Sequence, residues 1–228
     1  FLFFQLLDND KRMIQSMRSG TIIQPAESQS CIGCHDDRGK APAAYGASMP
    51  QAALRDPSPL GGWYGEPRPF NYLSEVQPVW DANCMSCHDW GGAGTAKLVL
   101  ARDKGLFFNA SYTELWRRGY TGAIGAGPAA IQQAKSWGSH NSTLMNTIRA
   151  GHNDVSLTTE EFERVATWLD LNAPYYPEYY TSYPGNLAGR SPLNGSQLSA
   201  LGALTSRNFS GMNRWNGNPG PQVCFDRP

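Results

Sequence analysis

The chain has 228 residues, with 19 basic and 19 acidic side chains in balance and no run of five like charges, which speaks against a nucleic-acid-binding surface. A hydrophobic fraction of 40% beside 24 glycines and 16 prolines describes a globular chain with small cores and much irregular backbone. The longest early apolar run, Phe1 to Phe4 continued past Gln5 by Leu6 and Leu7, is too short to cross a bilayer and lacks the basic start and cleavage site of a signal peptide.

Residues 1–7 and 13–17 read as two short strands around the turn Asp8-Asn9-Asp10. Residues 40–70 follow the motif Cys31-Ile32-Gly33-Cys34-His35 and are rich in Ala, Pro and Gly, which predicts a wrapping loop. Pro78 suits the first turn of a short helix leading into a second motif, Cys84-Met85-Ser86-Cys87-His88. Ser111 and Glu114 have the spacing of a capping box, and Gly119 can stop the helix they would open.

A further helix is expected over Ser142 to Ala150, with Leu144, Met145 and Ile148 on one face and Gly151 as its stop. His140 and His152 flank it. The clearest helix starts at a Thr158/Glu161 box, carries Phe162, Val165, Ala166 and Leu169 at helical spacing, and ends before Pro174. Beyond it, tyrosines among prolines and the turn pairs Asn194-Gly195 and Asn216-Gly217 predict an irregular wrapping tail.

Cys-x-x-Cys-His is the attachment pattern of a c-type haem: two thiols spaced to reach both vinyl groups, and a histidine to ligate the iron. A four-cysteine zinc site would also use two such cysteine pairs but does not need the histidines. With His at only 4 of 228 positions, composition alone puts one after both pairs about once in 3,000 chains, so the haem reading is preferred. The expected cofactors are two covalently bound haems c with their iron. They would be held by Cys31, Cys34 and His35 and by Cys84, Cys87 and His88. Cys224 has no haem spacing around it, and its simplest reading is a buried thiol.

The two remaining histidines are candidates for the sixth ligands. His140 and His152 stand 12 residues apart, a helical rise of about 18 Å, too far for one iron and suitable for two adjacent haems. The preferred pairing is His88 with His152 and His35 with His140, with the swapped arrangement also open. Met17 and Met49 compete for the first haem, whereas Met145 on its apolar helix face reads as core.

Several segments together resemble the C-terminal dihaem region of hydrazine synthase alpha-subunit-like proteins. They are Gln15 to Ser19, the two haem motifs, Val76 to Val79, Gly138-Ser139-His140, Gly151-His152 and Trp168 to Tyr176. The resemblance implies a fragment of a longer protein that carries an upstream β-propeller. It further implies one catalytic haem, with a tyrosine on its iron soon after the motif, and a second, bis-His haem for electron transfer. Here His35 is followed by Asp36-Asp37-Arg38-Gly39-Lys40 and the nearest downstream tyrosine is Tyr45, so the catalytic arrangement does not carry over. His88 with the later Gly151-His152 does.

The expected fold is mainly α with extensive irregular loops, a cytochrome c-like dihaem domain with a short N-terminal β-hairpin. Its expected parts are 1–70 with the first haem site, 71–176 with the second and the distal ligands, and 177–228 as the wrapping tail. The expected function is electron transfer by two bis-His haems, with redox proteins or further copies of the chain as partners. The alternatives are a haem enzyme with one open site and a subunit of a larger cytochrome assembly or filament. Covalent haem attachment implies export, to a bacterial periplasm or the cell exterior, with the natural N-terminus upstream of Phe1.

Overall fold

The chain opens on a hairpin. Strands β1 (Gln5–Leu7) and β2 (Met13–Ser16) pair antiparallel, Gln5 with Ser16 and Leu7 with Met13, with a bulge between Leu6 and Leu7. The expected turn closes it: Asp8 Oδ1 accepts the backbone N–H groups of Asp10 and Arg12, each at 3.0 Å, which substitutes for ladder bonds the turn cannot make. The computed structural model describes residues 2–17, 20–27, 54–56, 59, 61–124, 132–177 and 192–209. The motif Cys31–His35, Met49, most of residues 40–60 of the loop predicted over 40–70, and Cys224 lie outside the described residues.

Three short helices follow one another, α1 (Tyr72–Glu75), α2 (Gln77–Asn83) and α3 (Met85–His88), with Pro78 in the first turn of α2 as expected. Then come α4 (Ala110–Arg117), a 3-10 turn over Gly138–His140, α5 (Thr143–Arg149), α6 (Thr159–Asp170) and α7 (Gly195–Thr205). The fold is helix-rich with loops and one small antiparallel sheet among the described residues.

The main core lies between α1, α2, α4, α5 and α6, where Tyr72, Trp80, Leu115, Met145, Trp168 and Leu169 are fully buried. Tyr72 is its centre, its ring 5.0 Å from Trp168 and 5.1 Å from Tyr112. The buried polar groups satisfy one another in a chain. Trp80 Nε1 donates to the Tyr72 hydroxyl (3.0 Å), which lies 2.7 Å from Ser111 Oγ, and Ser111 donates to Gln77 Oε1 (2.5 Å). Asn109 Nδ2 also donates to Gln77 Oε1 (2.7 Å).

That chain corrects the predicted start of α4. Ser111 lies inside the helix with its hydroxyl committed to the core, and the cap is Asn109, whose side chain accepts from the Tyr112 N–H at 3.2 Å. The predicted stop holds: Gly119 has φ +71, its N–H bonds Trp116 and the Tyr120 N–H bonds Leu115, the Schellman pattern. A second correction falls in the tail. Residues 195–205, read as irregular from the Asn194-Gly195 pair, form α7 because Asn194 and Gln197 make a reciprocal capping box. Its Leu198 packs with Phe209 beside Leu106 and Phe107. No helix among the described residues is long and apolar enough to cross a membrane.

Candidate functional site

The second motif folds as one helical turn, with the His88 N–H bonded to the Cys84 carbonyl at 2.9 Å. Cys84, Cys87 and His88 are thereby brought to the wall of one cavity of about 320 Å³. The following loop then clasps the histidine. The Gly94 N–H reaches the Cys87 carbonyl (2.8 Å), the Leu100 N–H reaches that of His88 (2.9 Å), and His88 Nδ1 lies 2.8 Å from the Leu98 carbonyl. A carbonyl can only accept, so Nδ1 carries the proton and the lone pair of Nε2 is left free. Gly94 permits this approach, because a Cβ there would stand 2.7 Å from His88 Cε1.

His152 faces His88, their ring centroids 6.0 Å apart and their planes inclined by 30°. It sits at the start of a tight turn in which Val155 N–H bonds the His152 carbonyl at 3.0 Å and Asn153 (φ 48) and Asp154 (φ 60) both take left-handed backbone. Asn and Asp tolerate that conformation better than other side chains with a Cβ, so the sequence suits the turn. The Asn153 amide lies 3.3 Å from His152 Nε2 and can donate to it. The wall of the cavity is mostly apolar, with Trp80, Leu98, Leu100, Leu144, Ile148 and Val155 in its lining.

No disulfide joins Cys84 to Cys87. Burial, helped by Glu161 and Cys87, pushes the Cys84 thiol up to about 11, so it is protonated at neutral pH and a poor unassisted nucleophile. Two thiols and two imidazoles thus lie round one mostly apolar cavity. Among the described residues no three His, Cys, Asp or Glu side chains converge as a bare ion would need.

His140 is held elsewhere. Its Nε2 lies 3.0 Å from Asp8 Oδ2 in the hairpin turn, and it does not line the cavity. Burial, reinforced by Arg12, holds the His140 imidazole below its usual value. For Asp8, burial works upward but is outweighed by the N–H groups of Arg12 and Asp10 and by His140, leaving it below the ordinary carboxylate range. The 3-10 turn bearing His140 is pinned by buried Asp170, which accepts from the Ser139 N–H (2.7 Å), Ser139 Oγ (3.0 Å) and the Met13 N–H (2.9 Å).

Of the sequence candidates, Cys84, Cys87, His88 and His152 come together, and His140 stands apart with Asp8. Cys31, Cys34 and His35 fall outside the described residues. Sequence reasoning passed over the Leu98 carbonyl, Gly94 and Asp170. The Gly91-Gly92-x-Gly94 run was a usable signal for close backbone approach, whereas a backbone carbonyl leaves none.

By fold and site the chain is thus a helix-rich protein with a two-thiol, two-imidazole cavity. Its residues 1–36 match the family described as the hydrazine synthase alpha subunit middle domain, which relates this segment to hydrazine synthase. The match takes in the hairpin and the whole Cys31–His35 motif and ends before the second motif. No curated protein matches the chain, and no solved structure does.

Proposed function

We propose that the chain is a dihaem c-type cytochrome that transfers electrons, with one haem attached at Cys84 and Cys87 and ligated by His88 and His152. The observation that carries this reading is the pair of imidazoles facing each other across a cavity that also presents both thiols. An imidazole-to-metal bond of about 2 Å on each side sets two ring centroids about 6.3 Å apart, and the observed 6.0 Å fits a single metal between them. When bound, the haem iron supplies a one-electron couple.

The chain's own residues do the rest. The Leu98 carbonyl fixes the tautomer and orientation of His88. Trp80, Leu98, Leu144 and Ile148 give the cavity apolar walls, and a lower local polarity would tune the couple. With an imidazole on either side, no place is left for a substrate, which favours outer-sphere electron transfer. The second haem of the reading belongs to Cys31, Cys34 and His35, with His140 as its sixth ligand. A relation to the C-terminal dihaem region of hydrazine synthase alpha-subunit-like proteins is part of the same proposal. So are export to a bacterial periplasm or the cell exterior and redox proteins or further copies of the chain as partners.

The test is production of the chain in a host that matures c-type cytochromes. Two covalent haems per chain are expected by mass. Replacing His152 by Ala is expected to turn one of two low-spin haems high-spin by electron paramagnetic resonance and to let it bind carbon monoxide after reduction. A chain without covalent haem, or a His152→Ala spectrum identical to wild type, sinks the reading.

A second reading, a haem enzyme with one open site, is favoured by one observation: the Nε2 of His140 is engaged by Asp8. It requires a stoichiometric high-spin signal and carbon monoxide binding in the wild-type chain, and a fully low-spin protein removes it.

A further inference from the structure

We propose that Lys97 is the cation that receives the carboxylate edge of the cofactor in this cavity, an inference that rests on reading Cys84–His88 as a haem site. A c-type haem carries two propionates on one edge, and anionic groups placed against an apolar wall need a cationic partner or solvent. Histidines aside, Lys97 is the only charged residue among the described residues that line this cavity, and it is exposed to solvent.

Its backbone is fixed. The Lys97 N–H donates to the Gly94 carbonyl at 2.9 Å, the Leu98 N–H reaches the same carbonyl at 3.0 Å, and the Leu98 carbonyl holds His88. Lys97 therefore sits one residue from the group that orients a ligand, at a set position relative to it.

Its ammonium is also uncommitted, since among the described residues no carboxylate pairs with it. None of the acids Asp81, Asp89, Asp103 and Glu161 lines the cavity, and each has another partner: Asp81 with Arg102 (2.6 Å), Asp103 with Trp90 Nε1 (2.9 Å), Asp89 with the Trp90 N–H (2.8 Å), and Glu161 with Asn83 (2.8 Å). An unpaired cation on an otherwise uncharged wall is complementary to a ligand whose one polar edge is anionic. Held there, its charge stabilises the reduced, more negative state of the cofactor and raises the midpoint potential.

The experiment is an optical redox titration of the holo chain as wild type, Lys97→Gln and Lys97→Arg. In Lys97→Gln one haem is expected to show a lower midpoint while the other keeps its own, and Lys97→Arg is expected to restore the first. Unchanged midpoints in Lys97→Gln, or an equal fall in both haems, with two covalent haems present overturn the assignment of Lys97 and leave the haem site standing. A wild-type peptide containing Cys84 and Cys87 that lacks the mass of haem overturns both.

Discussion

At the scale of single residues, the site depends on one close approach. Gly94 lies against the edge of His88, and a methyl group there would overlap both Cε1 (2.7 Å) and Nδ1 (2.8 Å). The ring is clasped by the Leu98 carbonyl and cannot swing away without losing that bond. Gly94→Ala is therefore expected to lower stability by about 1–3 kcal/mol, the usual range for overpacking. Gly61→Ala, with nothing within 4 Å of the added atom, is expected to be neutral. Chemical denaturation of the two variants beside wild type checks this, and equal effects would show that Gly94 has no special fit.

At the scale of elements, the helix starts differ in what their caps also do. Thr158 caps α6 through an exposed reciprocal box with Glu161, so Thr158→Ala is expected to cost about 1 kcal/mol. Asn109 caps α4 from a fully buried position and in addition donates to Gln77, so Asn109→Ala removes a cap and weakens a buried network. A loss of about 2–4 kcal/mol is expected for it. The order of the two denaturation midpoints tests the difference. The same comparison shows where sequence reading worked. The Thr158 box is local and was legible, as were the hairpin turn at Asp8 and the stops at Gly119 and Gly151. The cap of α4 was misassigned because Ser111 has the correct spacing to Glu114, yet Gln77 and Tyr72, distant in sequence, claim its hydroxyl.

At the scale of the whole molecule, Asp170 joins the parts. Standing at the end of α6, it holds the start of β2 through Met13 and the 3-10 turn through Ser139, while its backbone carbonyl takes the Gln5 amide at 2.7 Å. Gly138 (φ +70) lets the turn come this close, since a Cβ would meet Asp170 Oδ1 at 2.5 Å.

Burial pushes the Asp170 carboxyl above its usual 3.8, despite the donors around it. In the window just above 3.8 the folded chain therefore binds more protons than the unfolded one, and this group alone makes the protein more stable as pH falls. Glu161 and Glu114 act in the opposite sense. Burial raises each, but the Thr158 N–H and Asn83 at the first, and Arg118 and Arg117 at the second, leave both below the usual range. The stability they contribute is present above the ordinary carboxylate value and is lost as pH falls through their folded values. Asp170→Asn is expected to cost about 1–3 kcal/mol near neutrality and to steepen the loss of stability on acidification. Melting temperatures from pH 7 to pH 4 test this, and a slope equal to that of wild type would count against it.

The sequence by itself determined the local features: the short helical approach to Cys84–His88 through Pro78, the hairpin turn, and the helices that start at Ser142 and Thr158. Each depends on groups within a few residues of one another, so spacing alone carries the information. The tertiary structure decided what spacing cannot express. It set His152 rather than His140 opposite His88, because the turn at Asn153-Asp154 and the end of α5 bring it to the cavity. It drew Ser111 into the core and gave His140 to Asp8, contacts spanning 34 and 132 residues. Those pairings are set by how helices pack around Tyr72 and how Asp170 docks the hairpin, and no short motif records either.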